Sequence, residues 1–137
     1  MNLLITDLDG TLANDRWRAR TPDYDERQKQ AAKDEPFTSN IAFINALEDW
    51  HIIILTSRNE RWSTLTNKWL LKHNVCIDDL HMRPDDNFEG ASDFKVASIK
   101  AIKAEFKPDV MVLIDSREDV VMAYRAEGWM ALCSMPL

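Results

Sequence analysis

The stretch Leu3-Leu4-Ile5-Thr6-Asp7-Leu8-Asp9-Gly10-Thr11-Leu12 is an apolar run that ends on two aspartates and a Gly-Thr turn. Alternate residues of a strand point to the same face, so Asp7 and Asp9 project together from the carboxyl end of a predicted strand. Open α/β sheets carry their ligand sites at that end. With Mg²⁺ between such carboxylates, one can attack as a nucleophile while the other transfers a proton. The stretch predicts a catalytic strand end; the alternative is a solvated acidic turn that caps the next helix.

The composition indicates one globular domain over residues 1–137. Hydrophobic residues make up 45% of the chain and charged residues 29%, and this length suffices for one hydrophobic core. The formal net charge of −6 disfavours a long nucleic-acid-binding surface, because such surfaces neutralise many phosphates. Binding only the end of a nucleic acid stays compatible with this charge. The sequence leaves the oligomeric state open.

The chain start leaves no room for a signal peptide before Asp7, and no apolar run approaches membrane-spanning length. We therefore expect a cytoplasmic protein without a membrane partner. Cys76 and Cys133 lack a Cys-x-x-Cys or His-rich pattern and are interpreted as reduced core residues.

Apolar runs alternate with helical patterns along the chain. The predicted strands are Leu3 to Thr6, His51 to Leu55, Leu80 to Met82, Val110 to Ile114 and Met130 to Cys133. One helix is predicted to begin at a Ser39 cap, and others cover residues 62–72, the Ile99 to Phe106 region and the Val120 to Tyr124 region. This alternation predicts an α/β fold in which helices cover both faces of a parallel sheet.

Two stretches lie outside the alternation. Residues 13–37 form a predicted small, partly helical insertion that overhangs the site, and it contains Arg16, Trp17 and Arg18. The Trp17 ring is interpreted either as ordinary packing or as a surface on which a base stacks. Residues 83–94 are predicted to be a polar loop with Pro, Asn and Gly turn residues.

Further polar residues follow the other predicted strands. Thr56-Ser57-Arg58 ends the second strand, where hydroxyls, backbone N–H groups and a guanidinium can bind phosphate, although Thr-Ser is also an ordinary helix cap. Asp115 ends the fourth strand and supplies a hard oxygen ligand for Mg²⁺ opposite Asp7. Asp119 is interpreted either as a helix cap or as a residue that supports the metal.

The order Asp7-x-Asp9, Thr56, Lys95, Asp115 resembles the four motifs of the haloacid dehalogenase (HAD) superfamily. The resemblance implies a Rossmann-like, three-layer fold with a central parallel five-stranded sheet, whose first strand lies between the second and the fourth. It also implies that Asp7 is the nucleophile and Asp9 the general acid/base, while Thr56 and Lys95 stabilise the transferred phosphoryl group. The expected phosphate-binding set is completed by Gly10, Ser57, Arg18 and Arg58, and the expected Mg²⁺ ligands are Asp7, Asp9, Asp115 and Asp119.

Almost the whole chain is similar to the 3′-phosphatase domain of bacteriophage polynucleotide kinase-phosphatases. The motifs that carry this are Asp-Gly-Thr-Leu-Ala with Arg18, Asp34-Glu-Pro, Thr56-Ser-Arg58, Leu80-His-Met-Arg-Pro84, Lys95 and Ile114-Asp-Ser-Arg-Glu-Asp-Val-Val121. The resemblance implies that Arg18 and Arg58 are needed for activity, and we expect both to approach the substrate from the rim. Ser116 stands where the family often has a second aspartate, and Asp93 lies closer to Lys95 than the family's acid does.

The sequence predicts a Mg²⁺-dependent phosphomonoesterase that acts on polynucleotide or nucleotide 3′-phosphates. The alternatives are a phosphatase of small metabolites or 5′-nucleotides, and a non-catalytic module that binds phosphorylated ends. With three glycines in the chain, the kinase phosphate loop of the bifunctional relatives cannot form. The sequence does not distinguish DNA, RNA and free nucleotides as substrate.

Overall fold

Strands and α-helices alternate along residues 1–135, which a computed structural model of the protein describes. The strands are β1 (Asn2–Thr6), β2 (Ala13–Asn14), β3 (Glu35–Pro36), β4 (Trp50–Asn59), β5 (Asp79–Arg83), β6 (Val110–Asp115) and β7 (Met130–Cys133). The helices are α1 (Tyr24–Lys29), α2 (Thr38–Asn45), α3 (Ser63–Lys72), α4 (Ala91–Phe106) and α5 (Glu118–Ala126). Short 3₁₀ turns span Arg16–Arg18, Gln30–Lys33 and Glu60–Trp62.

The five longer strands form one parallel sheet in the order β5-β4-β1-β6-β7. In this register Ile5 lies opposite Ile53 on one side and Leu113 on the other. The predicted α/β class and the predicted central position of the first strand are therefore confirmed. This order brings the carboxyl ends of β4, β1 and β6 side by side.

Two hydrophobic cores cover the two faces of the sheet. Leu3 and Ile5 of β1 are buried in the core that contains residues of α4 and α5. Leu4 points the other way, into the core formed with α2 and α3. Each fully buried aliphatic side chain of this kind stabilises the fold by about 1.5–3 kcal/mol relative to an exposed one. The alternation along β1 therefore produces the three layers.

The insertion after β1 begins and ends at a second, two-stranded sheet. Ala13 of β2 pairs with Pro36 of β3, and the Phe37 N–H donates to the Leu12 carbonyl oxygen over 2.8 Å. Between these strands, the Asp23 carboxylate caps α1 by accepting from the Glu26 N–H. The β2–β3 pairing therefore fixes both ends of the insertion next to the carboxyl end of β1.

The predicted start of the helix in residues 38–45 is wrong. Phe37 is the N-cap residue, its side chain makes no capping hydrogen bond, and Ser39 lies inside the helix. The Phe37 N–H bond to Leu12 and the bond from Asn40 Nδ2 to the Thr11 carbonyl hold this segment against the β1 turn. Tertiary contacts therefore decide where α2 begins.

The predicted polar loop 83–94 is shorter than expected. β5 continues to Arg83 and α4 begins at Ala91, directly after the N-cap residue Gly90. Asp93 consequently lies in the first helical turn, where a carboxylate interacts favourably with the helix dipole.

The interpretation of Cys76 as a core residue is also wrong. Both cysteines are free, but Cys76 is exposed and Cys133 is half-buried. Cys76 follows the left-handed residue Asn74, in the connection that leaves α3 at the surface.

Within residues 1–135, no helix combines the length and the apolar character that crossing a membrane requires.

Candidate active site

A cavity of about 300 Å³ lies at the carboxyl edge of the sheet, where β1, β4 and β6 end. Most of the residues predicted from sequence line this cavity. They are Asp7, Asp9, Gly10, Thr56, Ser57 and Lys95, joined by Asp15, Ser116, Arg117 and Met135.

Lys95 connects the two aspartates at the ends of β1 and β6. Its Nζ lies 2.9 Å from Asp7 Oδ1 and 2.5 Å from Asp115 Oδ2, and all three side chains are buried. Burial alone would lower the pKa of the Lys95 ammonium, but the carboxylates of Asp7 and Asp115 raise it above its ordinary value. Burial, together with the Asp7 charge, raises the pKa of Asp115 to about 6. One ammonium therefore only partly compensates two crowded carboxylates.

The Ser116 hydroxyl lies between two oxygens that follow β1. Its Oγ is 2.8 Å from Asp7 Oδ2 and 2.9 Å from the backbone oxygen of Asp9. Gly10 makes room for this approach, since a Cβ at that position would lie 2.7 Å from Ser116 Oγ. Its φ of +84° also strains any other residue. Gly10 therefore shapes the cavity through its backbone.

Two arginines hold the Asp9 carboxylate. Arg58 donates from Nε to Oδ2 over 2.9 Å and from Nη2 to Oδ1 over 2.6 Å, and Arg18 Nη2 donates to Oδ1 over 2.9 Å. Burial would raise the pKa of Asp9, but the guanidinium of Arg58, helped by Arg18, holds this pKa below its usual value. The geometry keeps Asp9 ionised and fixes its orientation.

The expected position of both arginines on the rim is wrong. Arg18 and Arg58 are each only 3% exposed, because their guanidinium groups turn inward to Asp9. Arg58 also donates from Nη1 to Thr66 Oγ1 of α3. Their burial follows from the charge of Asp9 and from an acid that the sequence analysis did not assign to the site.

That acid is Asp34, the last residue before β3. Its fully buried carboxylate accepts from Arg18 Nε and Nη2, each over 2.9 Å, and from the Trp17 indole N–H over 2.8 Å. The pairing of Arg18 with Asp34 joins residues 16 positions apart across the insertion, so no local sequence pattern predicts it. Trp17 consequently has an anchored N–H, although its side chain is 51% exposed.

Thr56, Ser57 and Asp119 occupy three different environments. Thr56 is buried and its Oγ1 accepts from the Arg58 N–H over 3.1 Å, whereas Ser57 is half-buried at the cavity wall. Asp119 is exposed and pairs with the Arg117 side chain instead of joining the buried carboxylates. Of the four predicted metal ligands, the structure therefore joins Asp7 and Asp115 through Lys95, whereas the Asp9 carboxylate faces Arg18 and Arg58 and Asp119 lies at the surface.

The oxygens at this edge fit a small hard cation. In the described residues 1–135, no three or more His, Cys, Asp or Glu side chains form a group that could hold a metal. Mg²⁺, however, commonly takes one or two carboxylates and keeps several waters. Asp7 Oδ2 and the Asp9 backbone oxygen converge on Ser116 Oγ, and burial together with the Asp7 charge raises the pKa of Asp115, an effect that a bound cation would oppose. Asp7, Asp115 and the Asp9 carbonyl are therefore the groups that fit Mg²⁺.

Replacing Asp34 by asparagine is expected to lower the free energy of unfolding by about 3 kcal/mol, because two buried guanidiniums then share the single carboxylate of Asp9. We also expect the phosphate release that the sequence predicts to become slower, since Arg18 loses its second anchor. Urea unfolding and initial rates measure the two effects. The matched control is Asp25→Asn in the same insertion, whose exposed pair with Arg61 at 3.8 Å is worth at most about 1 kcal/mol. Parent-like stability of Asp34→Asn would contradict the structural role.

A family model described as the polynucleotide kinase PNKP phosphatase domain matches residues 1–133. Two solved structures, a Pnkp1/Rnl/Hen1 complex and a Pnkp1/Rnl/Hen1 RNA repair complex, contain chains 24% and 25% identical to this one, with TM-scores of 0.77 and 0.78. Each alignment covers 96% of this chain, which spans 45% and 42% of the length of those chains.

A haloacid dehalogenase-like hydrolase, SP0104 from Streptococcus pneumoniae, shares the fold with a TM-score of 0.66 and 12% identity. That alignment covers 97% of this chain and 84% of the other. No curated protein sequence matches the chain.

Proposed function

This chain belongs to the family of polynucleotide kinase PNKP phosphatase domains in the HAD superfamily, and we propose that it is a Mg²⁺-dependent phosphatase of polynucleotide or nucleotide 3′-phosphates. The observation that carries the proposal is the position of Asp7: its carboxylate opens on the cavity beside Lys95, and Asp9 is held two residues further along by two arginines. The Pnkp1 relatives support a nucleic-acid end as the substrate.

In the proposed reaction, a carboxylate oxygen of Asp7 attacks phosphorus and the bond from phosphorus to the 3′ oxygen breaks. Asp9 gives a proton to the departing oxygen. A water then attacks the aspartyl-phosphate and loses its proton to Asp9, which regenerates the Asp7 carboxylate and releases inorganic phosphate. Lys95 and the hydroxyls of Thr56 and Ser57 stabilise the charge on the transferred group.

The lowered pKa of Asp9 keeps this carboxylate in the protonation state that the second of these steps uses. Arg58 and Arg18 keep this carboxylate ionised, which is the form that accepts a proton from water. Donation to the leaving oxygen requires a prior protonation that the same arginines oppose. We therefore expect formation of the aspartyl-phosphate to limit turnover of substrates with poor leaving groups.

Phosphatases of the HAD family are generally metal-dependent. Asp7, Asp115 and the Asp9 carbonyl would hold Mg²⁺, which would neutralise negative charge on the carboxylates and the incoming phosphate. The chain's own contribution is the fixed arrangement of these oxygens, which the Lys95 and Ser116 contacts maintain.

A substrate panel tests the proposed function. We expect phosphate release from a 3′-phosphorylated oligonucleotide to exceed release from its 5′-phosphorylated counterpart and from a hexose phosphate by about tenfold or more, equivalent to about 1.4 kcal/mol of transition-state stabilisation. A 3′-mononucleotide shows how much of this preference comes from the terminal nucleotide. Equal kcat/KM on 3′-nucleotides and hexose phosphates would favour a general metabolite phosphatase instead.

Removal of divalent cations with EDTA is expected to stop turnover, and added Mg²⁺ to restore it, because the candidate ligands are all hard oxygens. Asp115→Asn should raise the Mg²⁺ concentration needed for half-maximal rate. The matched control, Asp119→Asn, should leave it close to the parent value, since Asp119 pairs with Arg117 at the surface. Full activity after exhaustive chelation would refute the metal requirement.

A further inference from the structure

A second cavity, of about 430 Å³, lies along the outer side of α3. Ala32 of the insertion forms one wall, and the 3₁₀ turn 60–62 with α3 forms the other. We name this cavity the α3 cleft; the side chains that matter for its chemistry are Arg61, Trp62, Leu65, Lys68, Trp69 and Lys72. It is larger than the active-site cavity of about 300 Å³.

The charged residues of the α3 cleft all have the same sign. Arg61, Lys68 and Lys72 line it and no acid does, although the chain as a whole carries a formal net charge of −6. Across residues 1–135, Lys68 and Lys72 make no ion pair; Arg61 makes one, with exposed Asp25 at 3.8 Å. Three neighbouring cations with so little compensation favour an anionic occupant.

The walls between these cations are apolar, and Trp62 supplies their accessible aromatic ring. Trp62 and Leu65 are half-buried there, whereas Trp69 is only 2% exposed, and the Arg61 guanidinium lies 5.9 Å from the Trp62 ring centroid. Flat apolar surfaces beside cations are what single-stranded nucleic acids bind, since the bases stack while the cations track phosphates. An acidic peptide could pair with the cations, but its side chains would not stack on the aromatic ring of the cleft.

The α3 cleft is a separate cavity with different lining residues from the active site, but neighbouring residues and hydrogen bonds connect the two. Arg61 follows Arg58, which holds Asp9, by three residues. At the floor of the cleft, the Trp69 indole N–H donates to the backbone oxygen of Asp34 over 2.9 Å, and the Asp34 carboxylate holds Arg18. The cleft and the active site are therefore built from connected residues of β4, α3 and the insertion.

We propose that the α3 cleft binds the single-stranded nucleotides that precede the phosphorylated 3′ end. This inference rests on the proposed function. The segment of substrate is short, with phosphates near two or three cations and one base against the Trp62 ring.

The test compares the double variant Lys68→Glu/Lys72→Glu with the matched control Lys100→Glu/Lys103→Glu. All four lysines are exposed on helices, and the control pair lies on α4, across the sheet. With 3′-phosphorylated oligonucleotides of increasing length, the cleft variant should show a KM about tenfold above that of the parent for the longest substrate, at unchanged kcat. KM for a 3′-mononucleotide should not change. The slope of log KM against log salt should be shallower, by about 0.7 for each substrate phosphate that the variant no longer neutralises.

A second measurement needs no catalysis. Fluorescence anisotropy in EDTA follows binding of a labelled single-stranded oligonucleotide that ends in a 3′ hydroxyl. The parent and the control variant should bind it with an affinity that rises with length, and the cleft variant about tenfold more weakly. Trp62→Leu, which keeps all cations, should weaken binding between about fivefold and a hundredfold because the base can no longer stack on the indole ring.

The two measurements separate failure of the cleft from failure of the proposed function. The protein could bind the oligonucleotide through Lys68 and Lys72 and yet be inactive on 3′-phosphates. That result would support nucleic-acid binding by the cleft and refute the proposed activity. Equal KM at all lengths, with the cleft variant like the parent in both assays, overturns the cleft while leaving the activity standing. Poly-glutamate that binds as tightly as the oligonucleotide also overturns the proposal, because the occupant is then a general polyanion.

Discussion

Asp7→Asn is expected to reduce phosphate release by a factor of roughly 10⁴–10⁶, the range seen when a nucleophile is removed. An amide oxygen cannot form the aspartyl-phosphate and is a poor Mg²⁺ ligand. The fold should survive, because Lys95 keeps its contact with Asp115 and the repulsion between two buried carboxylates disappears. Malachite-green measurement of released phosphate gives the rate, and thermal unfolding gives the stability.

The control for Asp7→Asn is Asp119→Asn, which changes the same chemical group at an exposed position in the first turn of α5. It should retain near-parent turnover. If purified Asp7→Asn released phosphate at more than a small fraction of the parent rate, the assignment of the nucleophile would be wrong. A variant that failed to unfold cooperatively would show that Asp7 also supports the fold.

Asp9→Asn is expected to slow turnover of a 3′-phosphorylated oligonucleotide by roughly 10²–10⁴, the usual contribution of a general acid/base. The structural reason is specific: both Asp9 oxygens accept from guanidinium N–H groups, and an asparagine presents its own NH₂ to one of these donors. The substitution therefore disturbs the contacts with Arg58 and Arg18 as well as removing the proton acceptor.

The diagnostic measurement for Asp9→Asn uses an activated aryl phosphate, whose leaving group needs no proton. Asp7 can then still be phosphorylated, but the aspartyl-phosphate is hydrolysed slowly because water has lost its base. Intact-protein mass spectrometry should detect the phosphoprotein in Asp9→Asn and not in Asp7→Asn. If Asp9→Asn were slow but no phosphoprotein were detected, the role of Asp9 in hydrolysis of the aspartyl-phosphate would be contradicted.

The α/β class and the two-faced sheet are predictable from the sequence because they follow from short-range patterns, whereas the order of the strands was implied by the resemblance to the HAD superfamily. Residues 3–12 combine an apolar run with two aspartates in phase with the strand, and the later apolar runs each end on polar residues. Parallel strands expose their carboxyl ends at one edge, and the observed strand order makes the ends that carry Asp7, Thr56 and Asp115 neighbours there. The structure adds that Lys95 lies between Asp7 and Asp115.

The orientation of the arginines could not be predicted in the same way. Arg18 and Arg58 are 9 and 49 residues from Asp9, and neither separation indicates where a long flexible side chain points. Their inward orientation depends on Asp34, which the β2–β3 pairing places within reach of both guanidinium groups. Ser116 shows the same dependence, since its hydroxyl reaches Asp7 only because Gly10 leaves no side chain in the way.

By itself, the sequence determined the α/β sheet, the edge that carries the site and the residues at the strand ends. The reason is that each strand is visible as a local apolar pattern, the pattern recurs along the chain, and parallel strands all end at the same edge. Only the tertiary structure decided that the two arginines hold Asp9, that Asp34 anchors one of them, and that α3 carries a basic, aromatic cleft. These features join residues that are distant along the chain. Packing and charge compensation set their geometry, and the spacing of residues along the sequence does not indicate either of them.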